Sequence, residues 1–297
     1  MQKEFKYNTL YSKYMNFVSL KDLKSSPNLT FVFIDGSYFC FHRYYASLNW
    51  WKHAYPEEKD VLLDPYQNEV FLNKFKKTFI ENIQKIPAKI GLDKKINPII
   101  IVGKDCKREN IWRNELFPNY KANRVYDDEF MGGPFFQMVY EENLFIQGGA
   151  RTILKHPSLE ADDCIAISVN YLLHTYPTCN IYIITADRDY LQLVEDRVHI
   201  YDLAFKNIAN NKSSTGNAKK DLEIKIIMGD TSDNIPSVFP KCGPKTAIKC
   251  IENPDFFKKK MADNKTYHKQ YHLNKQLVDF NCIPQKLIYE FMTTPNN

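Results

Sequence analysis

Five short apolar runs punctuate the first two thirds of this chain, at residues 31–34, 99–102, 151–154, 180–184 and 198–201. Each is four or five residues long and stops at a polar turn. A run this short, without strict alternation, reads as a strand covered on both faces, which is the pattern of a parallel sheet. Helix-like stretches lie between the runs. At 64–86 the apolar residues Val70, Phe71, Phe75, Phe79, Ile80 and Ile83 fall on one helical face, and Pro87 is expected to end it. Residues 135–146 read as a second helix and 160–173 as a third, with a short helix through Leu193. Strands alternating with helices define an α/β domain with a mainly parallel central sheet.

The remaining segments suggest three parts. Residues 1–28 are polar and aromatic without a period, and read as an N-terminal arm. Residues 29–206 hold the α/β domain. Beyond a polar boundary at 207–217 no strong strand appears, and 207–297 reads as helical, with turns at 229–243 and a helix opening at Pro244. Charge follows this division. The chain carries +5 overall, but residues 206–297 hold fifteen Lys, no Arg and nine acids, so the rest is slightly negative. A basic module beside an acidic centre suits a polyanion ligand. Seven cysteines without a CxxC pair argue against a disulfide framework or a zinc site, and favour a reducing compartment. No apolar stretch is long enough for a membrane span, and the N-terminus lacks a signal-peptide core. An intracellular, cytoplasmic location is expected (a host cytoplasm if the chain is phage-encoded), without secretion or membrane contact.

The acids are placed in an unusual way. Asp35, Asp105 and Asp187 each follow an apolar run, and Leu159-Glu160-Ala161-Asp162-Asp163 opens the helix after the third run. An acidic first turn suits the helix dipole. If the strands are parallel, however, their carboxyl ends share one edge, where such sheets bind ligands. So many carboxylates in one crevice need counter-charge. Hard oxygen donors point to Mg²⁺ or a similar ion. A pair of such ions ~4 Å apart suits in-line phosphoryl displacement. Residues 103–124 add Lys104, Lys107, Arg108, Arg113, Lys121 and Arg124, interleaved with Trp112 and Tyr120, as a nucleic-acid surface would. There is no GxxxxGK[ST] and no GxSxG.

Five segments stand in an order that resembles the flap endonuclease (5′-nuclease) family. They are Ile34-Asp35-Gly36, Trp112-Arg113 through Lys121-Ala122-Asn123-Arg124, Leu159-Glu160-Ala161-Asp162-Asp163, Thr185-Ala186-Asp187-Arg188-Asp189-Tyr190-Leu191-Gln192-Leu193, and Gly229-Asp230-Thr231-Ser232-Asp233-Asn234-Ile235-Pro236. The eight-residue step from Asp105 to Arg113, and the tail at 271–292, resemble the phage-type ribonuclease H branch. The resemblance implies a PIN-like α/β domain with an arch or clamp at about 107–147. It also implies a helical DNA-binding region with a helix-hairpin-helix-like motif. Two departures stand out. The hairpin Pro236-Ser237-Val238-Phe239-Pro240-Lys241-Cys242-Gly243-Pro244-Lys245-Thr246 keeps only Gly243 of the family's glycines. A lysine, Lys104, precedes Asp105 where the family has a hydrophobic residue.

What the resemblance implies about function is specific. The reaction is divalent-metal phosphodiester hydrolysis, with two Mg²⁺ ions expected and Mn²⁺ able to substitute. Asp35, Asp105, Glu160 and Asp162 match a first metal cluster. Asp187, Asp189, Asp230 and Asp233 match a second, with Asp163 between them. Lys121 and Arg113 match cations that stabilise charge on the scissile phosphate, and Arg124 a neighbouring DNA contact. Phe41 and Tyr120 match rings that stack on an unpaired base. Gly243, Lys245 and Thr246 match a duplex-phosphate contact at a helix start. Substrates would be DNA with 5′ flaps, nicks or 5′ ends, and RNA·DNA hybrids, in primer removal, replication and repair. A monomer is expected; a single-strand-binding protein or a sliding clamp are candidate partners. Two rivals remain at this level: a PIN-type ribonuclease for single-stranded RNA, and a structure-specific DNA-binding protein without catalysis.

Overall fold

The computed structural model of the chain describes residues 28–58, 64–124, 129–211 and 214–294. The expected N-terminal arm, apart from Asn28, lies outside the described residues. A five-stranded sheet forms the centre: β1 (Thr30–Asp35), β2 (Ile99–Gly103), β3 (Ala150–Leu154), β4 (Asn180–Ile184) and β5 (Val198–Tyr201), in the order β3-β2-β1-β4-β5. Every adjacent pair is parallel. The central runs are strands covered on both faces, while the edge strands β3 and β5 are partly exposed. Phe31, Phe33, Ile181, Ile183, Val198 and Ile200 enter one core. Val32, Ile34, Ile100, Val102 and Ile184 enter the other.

The first two crossovers carry α1 (Gly36–Ala54), α2 (Glu69–Lys89), the single turn α3 (Arg113–Leu116), α4 (Gly133–Glu141) and α5 (Leu144–Gln147). Residues of α1, α2, α4 and α5 fill the second core, with Phe71, Phe75, Phe79 and Ile83 all fully buried. After β3 the chain reverses direction across the sheet. Its next helix, α6 (Ala161–Thr175), packs in the first core. The strand order therefore switches between β1 and β4, and a crevice opens there at the carboxyl ends.

The helical remainder comprises α7 (Ala218–Met228), α8 (Pro244–Glu252), α9 (Pro254–Ala262), α10 (Lys265–Val278) and α11 (Gln285–Thr293). A small core of Ile227, Val238, Phe239, Cys242, Ala247, Cys250 and Met261 holds α7, the following turns and α8 in a hairpin arrangement. The region does not stand apart. Phe280, Ile283, Ile288, Phe291 and Met292 pack in the first core beside the sheet. Gln192 donates to the Val278 carbonyl (3.1 Å) and accepts from the Phe280 amide (2.9 Å). No helix among the described residues is long and apolar enough to cross a membrane.

Several expectations need correction. A turn was expected after Asp35, but the strand runs straight into the 19-residue α1, with Asp35 as its cap. Pro87 does not end α2, which continues to Lys89. A proline in the last turn of a helix removes one bond at most, so the cost stays small. The helix expected at 135–146 is two helices, broken at Asn143, whose φ is +56°. Phe135, Met138, Val139, Leu144 and Phe145 are buried, so the later part of the expected arch is core.

One buried amide ties the helical region together. Asn274 is fully buried and donates to the carbonyls of Ile226 (2.9 Å) and Pro236 (2.8 Å). Removing it strands two buried acceptors, and each such loss costs about 1–3 kcal/mol. Asn274→Ala is expected to lower the midpoint of thermal unfolding, followed by circular dichroism, by roughly 5–10 °C.

Candidate active site

Asp35 is the last residue of β1 and pairs in register with Gly103 of β2. Its Oδ1 accepts from the Tyr38 amide (3.1 Å) and caps α1. Its Oδ2 accepts from the Thr185 hydroxyl (3.2 Å), which follows β4 directly, so this bond crosses the switch point. Gly36 permits the approach: a Cβ there would lie 2.5 Å from the Gly103 carbonyl oxygen. Asp105, two residues beyond β2, accepts from the Ser37 hydroxyl and from the Ala161 amide at 2.8 Å. The start of α6 is thus bonded to the ends of β1 and β2.

The acidic turn at that start is held from below. Asp163 is fully buried. Its carboxylate accepts from Arg113 Nη1 (2.8 Å) and Nη2 (2.7 Å), from Trp112 Nε1 (2.9 Å) and from the Glu160 amide (3.2 Å). Arg113 also reaches Glu160 Oε2 (3.0 Å) and the Leu277 carbonyl (2.7 Å). Tyr120 is buried, and its hydroxyl donates toward Glu160 (3.1 Å) and Asp233 (3.2 Å). Glu160, Asp162 and Asp163 offer oxygens within 4.8 Å of one another.

A second acidic group forms across the cleft. Asp189, Asp230 and Asp233 also offer oxygens within 4.8 Å of one another. The turn after α7 makes this possible. Gly229 has φ +70°, and a Cβ there would lie 2.4 Å from the Ile235 carbonyl oxygen, so only glycine fits. Residues 119–124 are stitched to the same turn. The Lys121 amide donates to the Asp233 carbonyl (2.9 Å), Asn123 to the Thr231 carbonyl (2.5 Å), and Asn234 to the Asn119 carbonyl (2.8 Å). Lys121, at φ +55°, places its ammonium on Glu160, 3.9 Å from Asp233. Arg124 pairs with Asp233 at 2.5 Å. Lys225 pairs with Asp189 and, at 2.8 Å, with Asp230.

These cations do not balance the cleft evenly. Lys225 and two bonds from Ser232 outweigh burial at Asp230 and pull it down to about 2. Asp35 is pushed up to about 7, by burial first and then by Asp105 and Asp187, against the Tyr38 and Thr185 bonds. Asp162 lies well above the usual carboxylate range, through burial and the neighbouring Asp163 and Glu160, despite Arg113 and Lys121. Asp187 has exposed surface but sits low among other acids, and that enclosure raises it, with Lys225 and Lys121 opposing. Ionisation is therefore disfavoured at Asp35, Asp162 and Asp187.

The structure brings Asp35, Asp105, Glu160, Asp162 and Asp187 to the sheet edge, and Asp189, Asp230 and Asp233 beside them. It departs from the sequence expectations at three residues. Arg113 is buried and its guanidinium is spent on Asp163, Glu160 and Leu277, so it does not face a phosphate. Asp163 faces inward to Arg113 and Trp112, with an oxygen within 4.8 Å of oxygens of Glu160 and Asp162. Tyr120 lies between acids and offers no ring for stacking. Phe41 is 43% exposed and packs its ring against Phe130 and Phe136. Gly243, Lys245 and Thr246 form the start of α8, with Lys245 exposed. Sequence reasoning missed Thr185, Ser37 and Lys225. A lysine in the last turn of a helix is a common dipole partner, so Lys225 carried no signal of its own.

A parallel sheet with an acid-lined cleft at its switch point, joined to a helical hairpin, defines a PIN-like, resolvase-like α/β protein. The family model described as "5'-3' exonuclease, N-terminal resolvase-like domain" matches residues 30–223, and the chain belongs to this family. It is 35% identical over 152 residues to a 5′-3′ exonuclease of Bacillus subtilis, covering 47% of each chain. It is 28% identical over 234 residues to a 5′-3′ exonuclease of Mycoplasmopsis pulmonis, covering 77% of this chain and 68% of that one. The match thus spans about half the length of the first of these relatives. Among solved structures, the flap endonuclease of bacteriophage T5, in a pseudo-enzyme–product complex with DNA and metal ions, shares the fold. The TM-score is 0.59 at 18% identity, over 89% of this chain and 96% of that one.

Two outcomes follow from the electrostatics. Breaking a buried ion pair leaves an uncompensated charge and costs about 3–5 kcal/mol. Arg113→Ala is therefore expected to lose that much stability in urea unfolding, whereas a surface phosphate contact would lose almost none. A carboxyl raised in the folded state costs stability above its unfolded value, increasingly so until the folded value is passed. In chelator, Asp35→Asn should thus melt several degrees above the parent at pH 8, and the gap should close toward pH 4.

Proposed function

We propose that this chain is a divalent-metal-dependent 5′-nuclease that hydrolyses phosphodiester bonds at 5′ flaps, nicks and 5′ ends of DNA and of RNA·DNA hybrids. The observation that carries this reading is the convergence of acids from β1, β2, the start of α6, β4 and the α7–α8 turn at one switch point. Such a donor set fits Mg²⁺: the ligands are carboxylate oxygens, and burial and neighbouring acids disfavour ionisation of Asp35 and Asp162 without an added cation. Asp35, Asp105, Glu160 and Asp162 would hold one ion, and Asp187, Asp189, Asp230 and Asp233 a second. Bound there, the ions supply an activated water and a clamp on the leaving oxygen.

The chain's own groups do the rest. Lys121 sits on Glu160 at the cleft, on a flexible stem that can turn toward a phosphate oxygen. Arg113 acts one layer below, by holding Glu160 and Asp163 in place. Lys245 and Thr246 sit where helix-start amides favour a duplex phosphate. The exposed Phe41 ring, beside Phe130 and Phe136, offers a face to an unpaired base. The phage relative crystallised with DNA and metal ions supports the substrate class.

A 5′-labelled flap duplex should be cut with Mg²⁺ and left intact in chelator, while unpaired RNA is cut much more slowly. Asp187→Asn should reduce the rate roughly 100-fold or more and keep flap binding in chelator. Cleavage of the unpaired RNA alone would overturn the assignment.

A further inference from the structure

Lys104 stands where β2 meets the acidic edge, between Gly103, the last residue of the strand, and Asp105. Its amide donates to the Leu154 carbonyl (2.9 Å), so the ladder runs one step past the register pair of Gly103 and Leu154. Lys155 follows Leu154 directly. Two lysines therefore leave neighbouring strands at the same level, with their backbones about 5 Å apart. Side chains alternate along a strand, so Lys104 shares the face of Val102 and Lys155 that of Ile153. Val102 and Ile153 both pack in the second core. On that side the Lys104 ammonium lies 4.0 Å from the ring centroid of Tyr140, on α4. The Tyr140 hydroxyl rests on Gly36, where a Cβ would meet it at 2.6 Å. One ring thus joins the lysine to the residue after Asp35.

Among the described residues Lys104 and Lys155 form no ion pair, whereas Lys121, Arg124 and Lys225 are each held by a cleft carboxylate. Two like charges side by side repel. A ring face attracts a cation without cancelling its charge. An anion bridging the pair removes the repulsion, and a nucleic-acid backbone offers one phosphate per nucleotide.

The fold indicates which part of a strand would supply it. The helical C-terminal region packs with the first core, through Phe280, Ile283 and Phe291. The duplex contact proposed for Lys245 and Thr246 belongs to that region. Lys104 and Lys155 lie on the second-core face, with the acids between. On this face the exposed Phe41 ring packs edge-on against Phe136, one turn before Tyr140 in α4. Residues four apart share a helix side. The ring offered to an unpaired base is therefore aligned with the ring under Lys104. A strand that leaves the duplex and crosses the acids runs out over both.

We propose that Lys104 and Lys155 together bind a backbone phosphate of the unpaired 5′ strand beyond the scissile bond, and so favour a flap over a nick. The inference rests on the 5′-nuclease reading above. It gives neither lysine a part in bond breaking.

The test is the double variant Lys104→Met with Lys155→Met in the full chain, which keeps both stems and removes both charges. Affinity for a 5′-flap duplex, and for the same nicked duplex without the flap, is measured in chelator by fluorescence anisotropy across a salt series. For the flap, the slope of log affinity against log salt should become shallower by about 0.7, the value for one single-strand phosphate contact. The nicked duplex should keep the parent's slope, which also shows that the variant folds. Arginine at both positions should restore the slope on the flap. A flap slope equal to the parent's in the double methionine variant would overturn the inference. So would an equal loss on both DNAs, which places the lysines on the duplex. A parent that leaves the flap uncut in Mg²⁺ would overturn the functional reading and this inference with it.

Discussion

The buried pair between Arg113 and Asp163 is the contact on which the acidic centre depends. Three carboxylates within four residues cannot be folded against a sheet edge unless something opposes their repulsion. A guanidinium does so with geometry as well as charge, because its fork matches a carboxylate at two points. Here the fork takes both Asp163 oxygens and one Glu160 oxygen, and the remaining Nε–H reaches the Leu277 carbonyl. One side chain therefore fixes three elements: α3, which carries it, α6, whose first turn it grips, and α10, whose end it caps. A buried ion pair is often no better than an apolar substitute. Its value at this place is that it fixes Glu160 beside Lys121 while Asp163 absorbs the inward charge.

Sheet topology supplies the other half of the constraint. With β1 and β4 adjacent and parallel, the polypeptide leaves each in opposite directions across the sheet, and no helix can cover the gap between their ends. Asp35 and Thr185 meet across that gap. The acids then arrive from elements far apart in sequence, so their mutual positions are set by packing rather than by one loop. The hairpin after α7 is drawn in by residues 119–124, whose bonds to Thr231, Asp233 and Asn234 bring the second acidic group against the first.

Much of this was legible in the chain. Strands covered on both faces write themselves as unbroken apolar runs, and a residue just past a parallel strand must lie on the carboxyl edge. Asp35, Asp105 and Asp187 could be placed from that rule alone. What the rule does not give is which way a side chain turns. Asp162 and Asp163 are adjacent, yet one faces the cleft and the other faces Arg113, since neighbours on a helix point about 100° apart. Arg113 and Tyr120 read as nucleic-acid contacts because cations and rings interleave there. Only tertiary packing reveals that both are buried supports. The helix α1 was missed because Asp-Gly-Ser reads as a turn. Asp35 in fact uses its turn-forming carboxylate to cap a helix, which is the same hydrogen bond in a different continuation.

The choice of cations in the cleft follows the same logic of fixed against exchangeable charge. Arg113, rigid and fully bonded, sits where the charge must never leave. Lysine sits at the mouth: Lys121 on Glu160, and Lys225 between Asp189 and Asp230. An ammonium on a four-carbon stem has no preferred plane and is released by rotation alone. A divalent ion entering either acidic group would meet a monovalent occupant that can swing aside without disturbing the backbone. Burial suppresses the ionisation of Asp35, and of Asp162 in spite of Arg113 and Lys121. Charge is thus held on Arg113 for structure and lent by lysine at the cleft mouth, while burial suppresses it on Asp35 and Asp162.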